Sequence, residues 1–226
     1  MTRLRLAPSI LTADFARLGE EVASVAPIVD WFHLDVMDGH YVPNLTFGPS
    51  TVDAVRRSCD LPLHVHLMIE NPAFFAPAFA AAGARRISFH PEVTDDPPAV
   101  IRAIKDAGCE VGVAVHPDVG LEEARRYLED LDVVLMMTVR PGFGGQTFME
   151  EVLPKISHAK AMVEEAGSRA DIEVDGGVNL STIDRCVRAG GQILVAGSAI
   201  FDGVDPVAAA QRLRDRLEAL EKQVAT

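Results

Sequence analysis

Eight short apolar or β-branched runs, each followed by a longer stretch of helical character, constrain this chain more than any other feature. The runs lie at 5–9, 31–37, 63–68, 86–90, 110–115, 133–137, 171–175 and 192–196. Punctuation between them is helical. Asn71-Pro72 places a cap residue and a first-turn Pro at the start of one segment. Gly83 and Gly108 stand where helices should stop. Leu213, Leu217 and Leu220 repeat at i, i+4 and i+7 in the last segment. Strand followed by helix, eight times in 226 residues, favours an α/β fold closed into a (β/α)8 TIM barrel, one domain over 1–226. An open doubly wound sheet satisfies the same alternation. No linker or low-complexity run divides the chain, and the spacing of units is too irregular for a solenoid.

A barrel of this kind places its chemistry at the C-terminal ends of its strands. The second run ends Phe32-His33-Leu34-Asp35-Val36-Met37, and strand parity turns His33, Asp35 and Met37 to one face. The third ends His64-Val65-His66-Leu67-Met68, with His66 and Met68 on a shared face, and the seventh ends at Asp175. Burying these polar groups is costly unless they serve one another. Each alone reads as well as a satisfied core histidine or a helix-capping aspartate. Two imidazoles and two carboxylates on one rim read as a metal site: His33, Asp35, His66 and Asp175. Mixed nitrogen and oxygen donors suit zinc best, with iron, manganese and cobalt as the other candidates for a single divalent ion. Two aspartates beside a metal that polarises a carbonyl suit proton transfer at the adjacent carbon. Asp35 and Asp175, from different sides of the barrel, are the candidate acid–base pair.

The formal net charge of −12 argues against nucleic acid as a partner. It also requires that any anionic ligand be gripped locally. Lysine does not supply that grip, because Lys105, Lys155, Lys160 and Lys222 fall in helical or terminal segments. Glycines do. Gly142, Phe143, Gly144 and Gly145 follow the sixth run, Gly176 and Gly177 the seventh, and Gly197 with Ser198 the eighth. Backbone amides in such loops can cradle a phosphate; ordinary tight turns are the plainer reading. The loop at 142–147 is neither a dinucleotide fingerprint nor a Walker loop. No apolar run is long enough for a membrane span, and residues 1–7 read as an early strand, not a signal peptide. Cys59, Cys109 and Cys186 form no C-x-x-C pair, which points to a reducing, cytoplasmic setting.

Several motifs now carry a resemblance. Pro8-Ser9-Ile10-Leu11-Thr12-Ala13-Asp14-Phe15, the block 33–49, the run 66–69, and the segments 141–146, 173–178 and 195–201 resemble the ribulose-phosphate 3-epimerase family across nearly the whole chain. The resemblance implies a ribulose-phosphate-binding barrel that interconverts ribulose 5-phosphate and xylulose 5-phosphate in the pentose phosphate pathway. It implies His33, Asp35, His66 and Asp175 as metal ligands, and Asp35 and Asp175 as catalytic acid and base. It further implies Ser9 and His66 in contact with the phosphorylated ketopentose, and the three glycine loops on its phosphate. Met37, Met68 and Met137 resemble thioethers that line the family's site, although core filling is the usual role of Met. Homo-oligomers, dimers or hexamers, are implied as well.

The chain departs from the pattern at a few positions. Thr12 stands where Ser is common. His64 stands where Asp is expected, and reads as a tolerated replacement ahead of an additional ligand or a group behind the ligands. Arg140 replaces Asn or Glu before the phosphate loop, where it would pair with a carboxylate or support the phosphate. The segment 116–119 is also atypical. Asp14, His40, His90, His116 and His158 read as surface, cap or core residues.

Rival activities leave different signatures. An allulose-6-phosphate 3-epimerase differs only in one hydroxymethyl group of its substrate, which a pocket discriminates weakly. Decarboxylases on related barrels resemble D-x-K-x-x-D, and 35–38 lacks that Lys. A Schiff-base aldolase needs a Lys at a strand end. Retention of both aspartates weighs against a non-catalytic sugar-phosphate or metal-binding barrel without refuting it, and exchange of the substrate proton in D2O separates the two.

Overall fold

The computed structural model describes residues 3–201 and 203–224. Of the expected 1–226 span, Met1, Thr2, Asp202, Ala225 and Thr226 lie outside the described residues. Strand and helix alternate as β1 Arg5–Pro8, α1 Leu18–Val25, β2 Phe32–Met37, α2 Pro49–Ser58, β3 Leu63–Met68, α3 Pro72–Ala82, β4 Arg86–Phe89 and α4 Pro97–Asp106. They continue as β5 Glu110–Val115, α5 Glu122–Tyr127, β6 Val133–Met137, α6 Leu153–Glu165, β7 Asp171–Asp175, α7 Ile183–Ala189, β8 Ile193–Ala196 and α8 Pro206–Val224. All strand pairs are parallel, in the order β1-β8-β7-β6-β5-β4-β3-β2. The seam between β1 and β2 is bridged at Ser9 and His33. The sheet therefore curls into a nearly closed (β/α)8 barrel, and the open doubly wound alternative falls away.

Helix ends follow the local chemistry. Pro72 opens α3, but Asn71 occupies the cap position without a side-chain capping bond. Gly83 closes α3 in the left-handed conformation, φ 113°, which a side chain would resist. Leu213, Leu217 and Leu220 are buried along α8, as their spacing predicts.

Parallel strands covered by helices are buried on both faces, so burial does not distinguish the two sides of β2 or β3. Parity does. Phe32, Leu34 and Val36 join Leu63, Val65 and Leu67 in the apolar layer beneath the helices. The alternate residues point into the barrel, and register pairs His33 with His64, Asp35 with His66 and Met37 with Met68. Part of this interior is apolar, with Ala7, Ile193 and Val195 in one cluster and Ala114, Leu135, Met137 and Val139 in another. The rest is ionisable. At the N-terminal end Arg86 donates to Glu110 at 2.8–3.0 Å, Arg5 pairs with Asp171 at 2.5 Å, and the Arg86 guanidinium lies over Trp31 at 4.4 Å. This ionic floor closes one end of the barrel and leaves the other for the site.

Candidate active site

β2, β3 and β7 bring His33, Asp35, His66 and Asp175 together, with one donor atom from each within 4.8 Å of the others. His33 Nε2 lies 3.2 Å from Asp35 Oδ1 and 3.7 Å from Asp175 Oδ2. His66 Nδ1 lies 3.0 Å and 3.9 Å from the same two oxygens. Both imidazoles are wholly buried, whereas both aspartates line a cavity at the C-terminal mouth of the barrel. Ser9, at the β1–β2 seam, donates its hydroxyl to Asp35 Oδ2 at 2.6 Å.

Burial opposes charge on every member of this set. It combines with the charge of Asp35 to push Asp175 up to about 8. Asp35 feels the same burial, but His33 and His66 hold it well below the usual carboxylate range. Burial would also lower His33, yet Asp35 and Glu173 raise it well above its ordinary value. His66 falls to about 3, chiefly through burial. Two carboxylates forced so close repel unless a proton or a cation sits between them. Two oxygen and two nitrogen donors at this separation fit a divalent ion, which would supply the charge the set lacks.

Five further polar residues stand behind these four, and sequence reading did not select them as a group. Glu173 shares parity with Asp175, one step deeper in β7. Its Oε1 accepts from His33 Nδ1 at 3.1 Å and from His64 Nδ1 at 2.9 Å. His64 is therefore more than a tolerated replacement: it is buried between Glu173 and the Ser88 hydroxyl, 2.7 Å away. His90, just beyond β4, is buried with its Nε2 3.0 Å from His66 Nε2, and its Nδ1 is 3.2 Å from Glu92. The signal for Glu173 was its i−2 position from Asp175; Glu92 follows His90 at i+2 across a turn, where strand parity gives no guidance.

The glycine loops border the same cavity, together with Ser9, Met37, Met68 and Met137. Phe143 and Ser198 also line it. Gly177 is at φ 66°, and a Cβ there would sit 2.8 Å from the Phe148 backbone nitrogen, so no other residue fits. Among the described residues, the amides of Gly144, Gly145, Gly177 and Ser198 have no hydrogen-bond partner. Gln146 holds the loop after β6 by donating to the Arg140 and Phe143 carbonyls, and Asn44 donates to that of Gly142. Those carbonyls are occupied, and the free amides could receive an anion. One more donor faces the cavity: Thr12 Oγ1 is buried with no partner, between Gly144 and Gly197.

Arg140 turns away from this cradle and makes two 3.1 Å bonds to Asp118. Of the two readings of Arg140, pairing with a carboxylate is the one the geometry bears out. No lysine borders the cavity: Lys105 lies in α4, Lys155 and Lys160 in α6, and Lys222 in α8. Asp14 caps a short turn by accepting from the Ala16 amide, as a cap residue should.

A family model described as the ribulose-phosphate 3 epimerase family matches residues 5–201. The chain belongs to this family. The ribulose-phosphate 3-epimerase of Bacillus subtilis is 48% identical over 213 residues, covering 93% of this chain and 98% of its own. That of Mycobacterium leprae is 46% identical over 215 residues, covering 95% and 96%. Among solved structures, KGPDC from Streptococcus mutans in complex with D-R5P superimposes with a TM-score of 0.76 at 18% identity, over 96% of this chain and 98% of that one. At that identity the likeness speaks for the barrel alone.

Proposed function

We propose that this chain is a single-domain ribulose-phosphate 3-epimerase that interconverts D-ribulose 5-phosphate and D-xylulose 5-phosphate. The observation that carries the reading is the pairing of Asp35 and Asp175. Both reach one cavity from different walls of the barrel, and their environments push their protonation in opposite directions. Inversion at C3 needs a base on one face of that carbon and an acid on the other. Asp35, aligned by Ser9, takes or returns the proton on one face; Asp175 does the reverse on the other. His33, His66 and the two aspartates would hold a divalent ion, with zinc the expected one. Held there, such an ion would supply Lewis-acid polarisation of the carbonyl beside the reacting carbon and so make its proton easier for Asp35 or Asp175 to remove.

The remaining residues orient the sugar. The amides of Gly144, Gly145, Gly177 and Ser198 bind the phosphate without help from lysine, and Thr12 adds a hydroxyl at the same end. Met37, Met68 and Met137 line the cavity and would offer the sugar soft, apolar contact that excludes water. We further read the enzyme as a cytoplasmic homo-oligomer, a dimer or hexamer. No helix of the described residues is long and apolar enough to cross a membrane.

The deciding experiment follows the C3 proton. Incubated with ribulose 5-phosphate in D2O, the metal-replete protein should yield both epimers with deuterium at C3. Asp175→Asn should lose turnover, and with it proton exchange on one face of C3, while keeping the fold. Absence of exchange in the metal-replete wild type would leave a sugar-phosphate-binding barrel in place of an enzyme.

A further inference from the structure

We propose that His90 and Glu92 are positioning residues for His66, fixing its imidazole in the tautomer that leaves Nδ1 free to bind a divalent metal. The inference rests on the metal reading above and concerns residues that touch neither substrate nor metal.

The two ligand histidines present different nitrogens to the site. His33 turns Nε2 toward Asp35 and Asp175, so its Nδ1 points down the barrel, where Glu173 accepts from it directly. His66 turns Nδ1 toward the same oxygens, so its Nε2 points sideways toward β4. There β4 offers Ser88 and then ends at Phe89, with no carboxylate in reach of the ring. His90 spans the gap. Its Nε2 meets His66 Nε2 at 3.0 Å, with ring centroids 5.1 Å apart, and its Nδ1 meets Glu92 Oε1 at 3.2 Å. Glu92 Oε1 also accepts from the Tyr41 hydroxyl at 2.9 Å.

The order of protons along this line is determined at its far end. A neutral imidazole has one donor and one acceptor nitrogen, and a carboxylate only accepts. Burial works against charge on Glu92, but the hydrogen bonds it accepts from His90 and from the Tyr41 hydroxyl favour its ionised form. His90 Nδ1 must therefore donate to Glu92, which makes its Nε2 the acceptor. His66 Nε2 must then be the donor, and the lone pair of His66 falls on Nδ1, facing the two aspartates. The reverse order would set a nitrogen lone pair against the Glu92 carboxylate; in the favoured order the His66 Nδ1 lone pair instead faces Asp35 Oδ1 at 3.0 Å, a contact that a cation held between the two converts from repulsion to shared ligation. A ligating histidine is commonly oriented by one hydrogen-bonded carboxylate or carbonyl; here a second histidine carries that influence across the width of a strand. His90 is wholly buried, so water does not compete for either of its nitrogens.

Zinc affinity of the metal-free protein, measured by competition with a chromophoric chelator, tests the line. Glu92→Gln and His90→Phe should each weaken zinc binding about 10–100-fold, the range expected for loss of such a partner. Tyr41→Phe, which leaves Glu92 facing His90, should change it by less than about threefold. Long-range proton–nitrogen NMR on the zinc-loaded wild type gives a second readout that no folding defect can confuse. His66 should carry its proton on Nε2 and His90 on Nδ1 alone. Wild-type-like affinity in Glu92→Gln, a proton on His66 Nδ1, or protons on both nitrogens of His90 would each overturn the proposal. Failure of the wild type to bind zinc would remove the metal reading and this one with it, whereas tight wild-type binding with an indifferent Glu92→Gln removes only the line through His90.

Discussion

Replacing Glu173 with Gln deletes one negative charge from the middle of the barrel and keeps the side chain's length. Glu173 is 1% exposed and accepts from two imidazoles, while its second oxygen lies 3.6 Å from Arg86 Nη1. Arg86, 3% exposed, keeps Glu110 at 2.8 Å but loses the more deeply buried of its carboxylate neighbours, the one facing Nη1. A glutamine oxygen can still accept from one histidine, but its amide group must then face the guanidinium. Hydrogen bonds to a charged acceptor are worth about 1.5–3 kcal/mol each. Breaking a buried pair by removing one partner costs about 3–5 kcal/mol. The two views of the same loss converge on about 3–5 kcal/mol, or a fall of roughly 10 °C in Tm for a domain of this size. Urea denaturation of the metal-free protein at neutral pH measures it. The pH dependence has a defined sign. Glu173 is held well below the usual carboxylate range against its burial, by the His64 and His33 contacts, so its contribution is present at neutral pH and is lost as pH falls through its folded value. The gap between wild type and variant should therefore persist at neutral pH and close only in acid. A Gln variant within about 1 kcal/mol of wild type at pH 7 would refute the charge-centred account of the barrel interior.

Thr12→Val should raise KM for ribulose 5-phosphate about tenfold with little change in kcat, the effect of one lost hydrogen bond, and Thr12→Ser should restore it; an unaltered KM in the Val variant assigns the hydroxyl no role in binding. Arg140→Ala should leave KM unchanged, because its guanidinium is committed to Asp118; a raised KM in steady-state kinetics would return Arg140 to the phosphate. Metal removal should make stability fall as pH rises from roughly 6.5 toward 8. Across that window the lowered His64 and His66 are already neutral, while Asp175 at about 8, raised by burial and Asp35, and the raised His33 lose protons that the fold favours. Thermal melts with and without zinc should therefore diverge more at pH 8 than at pH 6.5, and parallel pH profiles would contradict this.

Strand parity and the eightfold alternation were legible from residue order, because period-2 and helical patterns are local properties of the chain. So were the two aspartates and two histidines of the rim, since each is a polar interruption of an apolar strand. His64 shows the limit of that reading. Its parity was visible, but its work was not, because Glu173 lies 109 positions away and Ser88 belongs to a third strand. Arg140 was ambiguous for the same reason: whether it faces a phosphate or Asp118 depends on how two loops lie beside each other.

Residue order by itself determined the strand–helix alternation, the strand faces on which the polar side chains lie and the positions of the glycine loops, all of which follow from local periodicity and local backbone freedom; closure of the sheet into a barrel came from the tertiary structure. Tertiary structure alone decided how those groups are charged and aimed. It set Ser9 against Asp35, Glu173 beneath His33, and His90 between His66 and Glu92. Protonation and tautomer are fixed by neighbours across strands and by the water that burial excludes, and neither is a property of any segment read on its own.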